Sequence, residues 1–555
     1  MTTKLLRVPQ WMRVMSLLLA GVWGADLRAD TGKPLVFFEG TGTHTRWISN
    51  RPEVQRSFDQ GVAFVSGFNY DEGLRMMEQA ARLDPTNPMV AWGVALACGP
   101  HINSTGVSAE RAQRALAALQ VAKNAGVQAT GVVKDLIEAM QTRFSQDTSV
   151  KRKTLDEAYA AAMRDVWSKH PDDADVGAWF AESMMMLRPW DLWTSTGEPH
   201  PGTEEILATL EAVLRLEPDH PLANHMAVHA HEASKNPERA MPAADRLRVI
   251  TPGLGHMVHM SSHIDVRCGQ WDQAIVANTR SIAINHDYLA KTDQDLSAYT
   301  NYIGHDYHLL TYAAMMSGRG ALALQTMKAL MVEMPAHWKR DSAIGDGYLA
   351  MQFDVMKRFG RWDELLASSE PEGNYPHARA WRLLGRGIAH AAQGNPAEAR
   401  REQAAYLKAC EAVPENATYR KNPLKDVLAI ATLLLEGEIL LSEGKAEPAM
   451  AALKEAIVLE DKLQYAEPPA WAQPVRHALG AALMQRLRFE EAEVVYREDL
   501  ARIPDNGWSL FGLAQALRMQ DKNRDEAAAL EERFRQVWSK ADVTLTSSCF
   551  CQPGS

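Results

Sequence analysis

Apolar residues recur at helical spacing along most of the chain beyond residue 54. The clearest stretch is FDQGVAFVSGFNYDEGLRMMEQAARLDP, in which two such runs flank the short turn Gly-Phe-Asn-Tyr. An Asp-Glu pair opens the second run and Pro85 follows its end, as is typical of helix start and stop signals. The 3.6-residue period predicts two amphipathic helices joined by a tight turn. Almost no segment shows the alternation of a strand, so we expect an all-α protein.

The same helix–turn–helix unit recurs along the chain. Its turn signature is a glycine, any residue, an aromatic or small residue, and then an alanine three positions later. The signature begins at Gly269, Gly318, Gly360, Gly394 and Gly444, with leucine replacing the alanine after Gly360. This pattern resembles the tetratricopeptide repeat (TPR), a 34-residue unit of two helices. The resemblance covers roughly residues 54–540, with less regular stretches near 98–175 and 188–202. It implies one continuous right-handed α-solenoid with a concave groove.

The two ends of the chain differ from the repeats. Residues 1–28 carry basic residues, then an apolar run from Val14 to Ala25 that is too short to span a bilayer, then small residues. This order is typical of a cleaved export signal, although a hydrophobic first helix is an alternative. We therefore expect an exported protein, periplasmic or secreted, without a transmembrane segment once the signal is removed. Residues 29–53 are expected to be extended, and 541–555 form a tail with the motif Cys549-Phe550-Cys551.

Composition narrows the classes of function. The net charge of −10 and the pI of about 6.0 argue against a nucleic-acid partner, which favours a basic surface. Five cysteines are too few for a disulfide scaffold in 555 residues, although the C-terminal pair could bind a soft metal or oxidise. The sequence contains no glycine-rich phosphate loop, nucleophile elbow or HExxH zinc-protease helix.

Histidines are concentrated in one part of the chain. GHMVHMSSHIDVRCGQW (255–271) holds three of the 18, and NHMAVHAHEAS (224–234) holds three more with a glutamate. Alignment on the turn signatures starts three successive units at Pro221, Gly255 and Gly304. In TPR proteins the second, fifth, ninth and twelfth positions of a unit face the groove, and here they hold seven histidines and a glutamate. These predicted groove residues are His225, His229, Glu232, His256, His259, His263, His305 and His308.

This set of side chains points to metal chemistry. Histidines at i and i+4 of a helix reach one ion, and imidazole suits iron, copper and zinc. Without a ligand the crowding is unfavourable, because protonated imidazoles repel one another. Eight ligands exceed the needs of one ion, so two or more ions, or one ion with a second shell of histidines, are both open. We expect Glu232 to bridge metals or act as a general base, and Tyr312 to supply a phenol for acid–base or radical chemistry unless it is a core residue.

Two glycine-opened loops outside this region carry one histidine each. They are GTGTHTRW, with His44, and GPHINST, with His101. Such loops either fold over a groove as lids or simply connect helices.

Beyond the repeat itself, the chain resembles a group of exported bacterial TPR proteins of about this length. The matching stretches are FDQGVAFVSGFNYDEGL, GPHIN, HMSSHI, GHDYHLL and ADVTLTSSCFC. The sequence departs from the group at Tyr70, where a histidine is frequent, and at His101, where asparagine is usual. The resemblance implies export and the repeat fold but no particular activity.

Three functions are compatible with these residues. The first is a metalloenzyme whose His-rich centre acts on a small molecule or peptide in the groove, as an oxidoreductase with iron or copper or, second, as a zinc hydrolase. The others are a non-catalytic scaffold that binds a peptide or partner protein, and a periplasmic metal carrier.

Overall fold

The computed structural model describes residues 35–126, 129–292, 299–335, 338 and 343–552, which form 24 α-helices and one small β-hairpin. The all-α class and the stacked TPR-like helix pairs predicted from the sequence are confirmed. In this part of the chain, no helix combines the length and apolar character needed to cross a bilayer. The predicted export signal (1–28) lies outside the described residues. The chain divides into two compact units, and the single continuous solenoid stays a prediction.

The first unit consists of residues 35–192, 201–226 and 250–253. Residues 35–51 lack regular secondary structure and precede the first helix. The helices of this unit are α1 (Pro52–Ser66), α2 (Tyr70–Leu83), α3 (Pro88–Ala97), α4 (Ala109–Ala125), α5 (Gly131–Gln141), α6 (Arg152–Lys169), α7 (Ala174–Met185), α8 (Thr203–Leu216) and the start of α9 (Pro221–His231).

The first helix pair forms as the sequence predicts. The side-chain oxygen of Asn69 accepts a hydrogen bond from the Glu72 amide and caps α2. Phe68 adopts a left-handed φ of 58° in the turn before it. Phe58 and Met77 are fully buried between the helices. An apolar stripe on each helix thus packs the pair together.

The second unit consists of residues 193–200 and 227–249 and the described chain from 254 onward. A short 3-10 helix (Pro237–Ala240) leads into α10 (Met241–Ile250), and another (Trp538–Lys540) closes the helical region. The remaining elements are α11 (Gly255–Arg267), α12 (Trp271–Lys291), α13 (Thr300–Met316), α14 (Gly320–Glu333), α15 (Ala343–Arg358), α16 (Trp362–Ala367), α17 (Pro376–Ala392), α18 (Pro396–Glu411), β1 (Thr418–Tyr419), β2 (Asn422–Pro423), α19 (Leu424–Ser442), α20 (Ala446–Glu460), α21 (Val475–Gln485), α22 (Phe489–Arg502), α23 (Gly507–Met519) and α24 (Arg524–Val537).

The turn signatures give the register of the repeats almost everywhere. All five signature glycines lie between two helices and have φ between 61° and 78°, which side chains disfavour. Helices α9 and α11 begin at the predicted Pro221 and Gly255. The predicted start of the next unit at Gly304 is wrong, because α13 begins one turn earlier at Thr300. Ile303 is buried and extends the apolar stripe of that helix toward its N-terminus, which the turn alignment does not detect.

The C-terminal tail is folded onto the repeats of its own unit. Both carboxylate oxygens of Asp542 accept hydrogen bonds from the amides of Gly320 and Ala321, at 2.7 and 2.8 Å, and cap α14. Cys549 and Cys551 form a disulfide and are buried. The tail therefore closes the unit, and of the two expectations for its cysteines the structure has the oxidised one.

Candidate metal centre

Five of the predicted groove histidines form one cluster in the second unit. His229 is on α9, three are on α11 and His305 is on α13. Their ring centres lie 4.7–5.7 Å from at least one other ring of the set. The members are His229, His256, His259, His263 and His305.

Two rings of this cluster point their Nε2 atoms at each other. The Nε2 atoms of His259 and His263 are 2.9 Å apart. His305 lies beside both rings, with centre distances of 4.7 Å to His259 and 5.6 Å to His263. One nitrogen from each of the three imidazoles falls within 4.8 Å of the other two. We call His259, His263 and His305 the three-histidine site.

A carboxylate and an amide set the orientation of His259. Its Nδ1 donates to Asn278 Oδ1 at 2.7 Å and lies 2.9 Å from the carboxylate oxygen Oδ1 of Asp306, an electrostatic contact. Asn278 is itself held, because its amide nitrogen donates to the Ala274 carbonyl. The proton of His259 is therefore on Nδ1, and the lone pair of Nε2 is directed into the three-histidine site.

Asp306 is fixed in turn by the neighbouring helix α12. Its Oδ2 accepts hydrogen bonds from the Ser281 hydroxyl at 2.7 Å and the Asn285 amide at 2.9 Å. Asn285 packs so closely against the backbone of Gly255 that a Cβ there would collide with the amide group. The glycine that opens α11 thus allows Asn285 to support Asp306, and through it His259.

Two carboxylates hold His263. Its Nδ1 lies 2.6 Å from Glu232 Oε2 and 3.0 Å from Glu467 Oε2. Burial alone would lower the pKa of His263, but the charges of Glu467 and Glu232 outweigh it and raise that pKa to about 10. With Nδ1–H donated to carboxylates, Nε2 of His263 is the atom left to face His259.

His305 completes the site as a neutral ring. Burial, followed by the charges of His259, Arg420 and other neighbours, lowers the pKa of His305 well below its ordinary value. Its Nδ1 has no hydrogen-bond partner within the described ranges, and its side chain is only half-buried. His305 is therefore a ready nitrogen donor at the more accessible side of the site.

The geometry fits a transition metal. With metal–nitrogen bonds of about 2.0–2.1 Å, two imidazole nitrogens on one ion are about 2.9 Å apart at a right angle and about 3.3 Å apart at a tetrahedral angle. The observed 2.9 Å between the two Nε2 atoms matches the first arrangement. Donation of Nδ1–H to a carboxylate, with Nε2 free for the metal, is the usual arrangement of metal-binding histidines.

A second group adjoins the first and shares His263. Glu232 Oε1 lies 2.9 Å from His229 Nδ1, while its Oε2 contacts His263. Burial and the charge of His263 lower the pKa of His229 well below its ordinary value. Ligand atoms of these three residues also lie within 4.8 Å of one another. Glu232 thus bridges two histidines, and a second ion here would compete with those hydrogen bonds.

The remaining predicted site residues have contacts of their own. His225 belongs to the first unit, where its Nδ1 is 2.6 Å from the Ser66 carbonyl oxygen. His308 packs 5.6 Å from the Tyr348 ring. Tyr312 packs against Trp271 in the core and lines a cavity of about 160 Å³ that Glu467 also lines. Tyr312 thus packs as a core residue, one of the two roles expected for it. The ligand roles of His225 and His308 stay predictions.

The histidines predicted to face the groove are covered in the structure. His259 and His263 are 0 and 1% exposed, and Glu232 is 1% exposed. The reason lies far along the chain, where the loop 463–471 supplies Glu467 and Tyr465 to the cluster. Burial, then the charges of Glu467 and Glu232, raise the pKa of Tyr465 well above its ordinary value.

Sequence reasoning missed several members of the site. Asp306 was open to detection, since it lies between the histidines of GHDYH. Asn278 and Glu467 carried no local signal, because neither belongs to a histidine-rich stretch. The hairpin β1–β2 was also missed, since it has neither glycine nor alternation.

The two loops with a single histidine are anchored connectors in the first unit. His44 bridges two carboxylates, with Nδ1 2.7 Å from Glu217 and Nε2 2.9 Å from Asp175. Burial disfavours its charged form, yet the hydrogen bonds to Asp175 and Glu217 raise the pKa of His44 to about 10. His101 is buried between the rings of Phe68 and Tyr70, 4.5 Å from each. Both nitrogens of His44 are occupied, so it acts as an ion-paired anchor.

Comparisons with known proteins give no family assignment. No protein-family model matches the chain, and no curated protein matches it in sequence. Among solved structures, human IFIT1 with PPP-AAAA is 14% identical with a TM-score of 0.29, over 86% of this chain and 89% of that chain. Yeast Tom70 is 14% identical with a TM-score of 0.30, over 87% and 92%. The APC/C hetero-tetramer Cut9–Hcn1 is 12% identical with a TM-score of 0.26, over 89% and 95%. Because these TM-scores are low, the helix-pair architecture is assigned from the helices of this chain itself.

Proposed function

We propose that the protein is a metal-dependent enzyme whose three-histidine site binds one iron, copper or zinc ion. The observation that carries this proposal is the opposed pair of Nε2 atoms, 2.9 Å apart, on rings whose Nδ1 atoms face carboxylates. Without a cation or proton between them, the two lone pairs would repel. One ion, with Glu232, Glu467 and Asp306 as outer carboxylates, explains more of the contacts than two ions do.

An oxidoreductase is the first choice of reaction class. Three imidazoles form a neutral nitrogen set that suits iron and copper, and such an ion would supply redox or oxygen chemistry. The phenol of Tyr465, beside Glu467, offers a proton and an electron close to the site. Zinc hydrolysis is the second candidate, because Glu467 and Glu232 could act as the general base for a water molecule.

The contacts favour a fixed centre over a carrier or a peptide-binding scaffold. Each ring of the opposed pair is held on its Nδ1 side, His259 by Asn278 and Asp306 and His263 by Glu232 and Glu467, whereas a readily exchanging site would not need such fixed rings. His259 is fully buried, so a peptide could not reach it without displacing the loop 463–471. A scaffold that binds a protein elsewhere on the repeats remains the alternative.

Elemental analysis of the purified full-length protein tests the proposal. The wild type should contain about one iron, copper or zinc per chain, and His259→Ala and His263→Ala should each lose it. His286→Ala is the control, because His286 is an exposed histidine of the same unit that pairs with Glu333. Circular dichroism must show that the variants keep their helices.

Each outcome has a defined meaning. Iron or copper selects the oxidoreductase, and zinc selects the hydrolase. A folded wild type without metal, or a metal content unchanged in both variants, overturns the proposal. Rapid loss of the metal to a chelator at neutral pH would favour the carrier.

We also propose that the protein is exported, on the basis of its first 28 residues. N-terminal sequencing of the protein from its native cells should find a start between residues 25 and 30. An intact Met1 in the mature protein would contradict export by a cleaved signal.

A further inference from the structure

The tip of the β1–β2 hairpin carries two adjacent cations in an unfavourable backbone conformation. Tyr419 pairs with Asn422, leaving Arg420 and Lys421 as a two-residue loop with φ of 48° and 64°. Such loops normally contain asparagine, aspartate or glycine, because other side chains are strained at positive φ. Two basic residues are therefore retained at positions where glycine or asparagine would fit with less strain, which points to a role for their side chains.

The hairpin is fixed in place on two sides. On one side, Tyr419 packs on Gly347 of α15, where a Cβ would come within 2.8 Å of its ring. On the other, Asn422 donates to the Gln464 carbonyl at 3.1 Å and accepts from the Gln464 amide at 2.8 Å. The hairpin and the loop 463–471 are therefore joined into one wall.

This wall places the cations beside the three-histidine site. The Arg420 guanidinium donates to the Glu467 backbone carbonyl at 3.4 Å, while the Glu467 carboxylate contacts His263. Lys421, at the tip of the same hairpin, is exposed to solvent.

The charges around the site nearly balance, with the proton on His263 as one positive charge in excess that a bound metal would displace. The carboxylates of Glu232, Glu467 and Asp306 are matched by three cations, and the third of these, Arg267, donates to the Glu232 and Ser234 carbonyls. A divalent ion on three neutral imidazoles would leave an excess of two positive charges in a buried region. Such an excess is costly unless an anion neutralises it.

We propose that Arg420 and Lys421 bind the oxyanion group, a carboxylate or a phosphate, of a small-molecule substrate at the three-histidine site. This inference rests on the proposed function and adds the chemical class of the substrate. The two basic residues of the hairpin supply positive charge that attracts the oxyanion of the substrate, and the metal ion supplies a second positive charge.

Cobalt(II) substitution of the full-length protein provides the test. The visible bands of bound cobalt report changes in its surroundings, and acetate, inorganic phosphate and the neutral analogue acetamide serve as probes. Cobalt content is measured separately in every variant. The variants are Lys421→Met and Arg420→Met, with Lys421→Arg as the conservative replacement and Lys425→Met, an exposed lysine at the start of α19, as the matched control.

We expect acetate or phosphate, but not acetamide, to change the wild-type bands. Lys421→Met should weaken that response by about tenfold or more at unchanged cobalt content. Lys421→Arg and Lys425→Met should respond as the wild type does. A stronger response to acetate identifies a carboxylate substrate, and a stronger response to phosphate identifies a phosphate.

Two results separate failure of this inference from failure of the proposed function. Cobalt bound with equal anion affinity in the wild type and Lys421→Met, or a response to acetamide equal to that to acetate, overturns the anion site alone. Absence of bound cobalt in the folded wild type overturns the metal site and the anion site with it.

Discussion

His259 and His263, one turn apart on α11, direct their Nε2 atoms toward each other at 2.9 Å while their Nδ1 atoms face opposite sets of carboxylates. Asp306 lies behind the first ring, and Glu232 and Glu467 lie behind the second. The two rings can keep this arrangement only if a proton or a cation lies between the nitrogens. The neighbouring carboxylates stabilise a proton or a metal cation at this position, because each of these adds positive charge to the histidine pair. The pair thus holds one positive charge at a defined position, carried by the proton of His263 when no metal is bound and by the ion in the proposed metal form.

Asp306→Asn should weaken metal binding without unfolding the protein. The amide keeps an acceptor for His259 but loses the charge, and its NH₂ group would face the Ser281 and Asn285 donors. Loss of such an outer carboxylate typically costs about 10–100-fold in metal affinity. Competition with a chelator of known affinity measures the change.

Asp346→Asn is the matched control for that experiment. Asp346 is a buried carboxylate of the same unit, which accepts from the amides of His377 and Ala378 and caps α17. We expect that variant to lose stability but to keep the metal affinity of the wild type. Equal affinity losses in both variants would mean that Asp306 acts through the fold rather than through His259.

Gly255→Ala should damage both stability and metal binding. A Cβ at this position collides with the Asn285 amide, which supports Asp306 and accepts from the Tyr299 hydroxyl at 2.9 Å. Overpacking of this kind costs about 1–3 kcal/mol in the free energy of unfolding. Urea unfolding and chelator competition measure the two effects.

The control for Gly255→Ala is Gly106→Ala. No atom lies within 4 Å of a Cβ at Gly106, so its unfolding free energy should change by less than about 0.5 kcal/mol. If Gly255→Ala were equally silent, Asn285 would have room to move, and its support of Asp306 would not matter.

The sequence predicted the fold and part of the site for identifiable reasons. Turn glycines such as Gly269 and Gly318 repeat with the unit, so the register of α11 and its histidines followed from local patterns. The HxxxH spacing then placed His259 and His263 on one face. Both steps need only contacts between residues close in sequence.

The rest of the site depends on contacts between distant residues. Glu467 reaches His263 from 204 positions away (467 − 263), and the hairpin at Arg420 has no glycine or alternation to reveal it. The same loop buries positions that the repeat pattern predicts to face a groove. Local periodicity cannot predict such cover, because it arises from an insertion between α20 and α21 rather than from the repeat.

Because His44 is an ion-paired anchor, the first unit should lose stability as the pH rises into the alkaline range. Folding raises the pKa of His44 from its ordinary 6.5 to about 10, because Asp175 and Glu217 accept hydrogen bonds from its two N–H groups and outweigh the effect of burial. The charged ring therefore stabilises the fold fully below pH 6.5, and this contribution is lost as the pH rises through about 10. Removal of the ring in His44→Gln should cost on the order of 2–3 kcal/mol at pH 6.

The difference in unfolding free energy between wild type and His44→Gln measures this effect across pH 6 to 10.5. It should shrink steadily above pH 6.5 and approach zero near pH 10. His170→Gln, which removes a half-buried histidine paired with Asp135 at 2.8 Å in the same unit, is a comparison at a more exposed pair. A difference that is constant with pH would show that His44 contributes by packing and not by charge.

Lys421→Gly should stabilise the protein while weakening its anion binding. Glycine adopts the φ of 64° without strain, so the replacement should add about 1 kcal/mol to the free energy of unfolding. The same change removes the ammonium group that we assign to the oxyanion of the substrate.

Lys425→Gly should have the opposite effect on stability, because glycine is unfavourable within α19. Urea unfolding, with the acetate and phosphate titrations of the cobalt protein, measures both properties. A loss of stability in Lys421→Gly would show that the lysine is retained for the hairpin itself, whereas a gain together with weaker anion binding would show that the strain is tolerated because the side chain has a function.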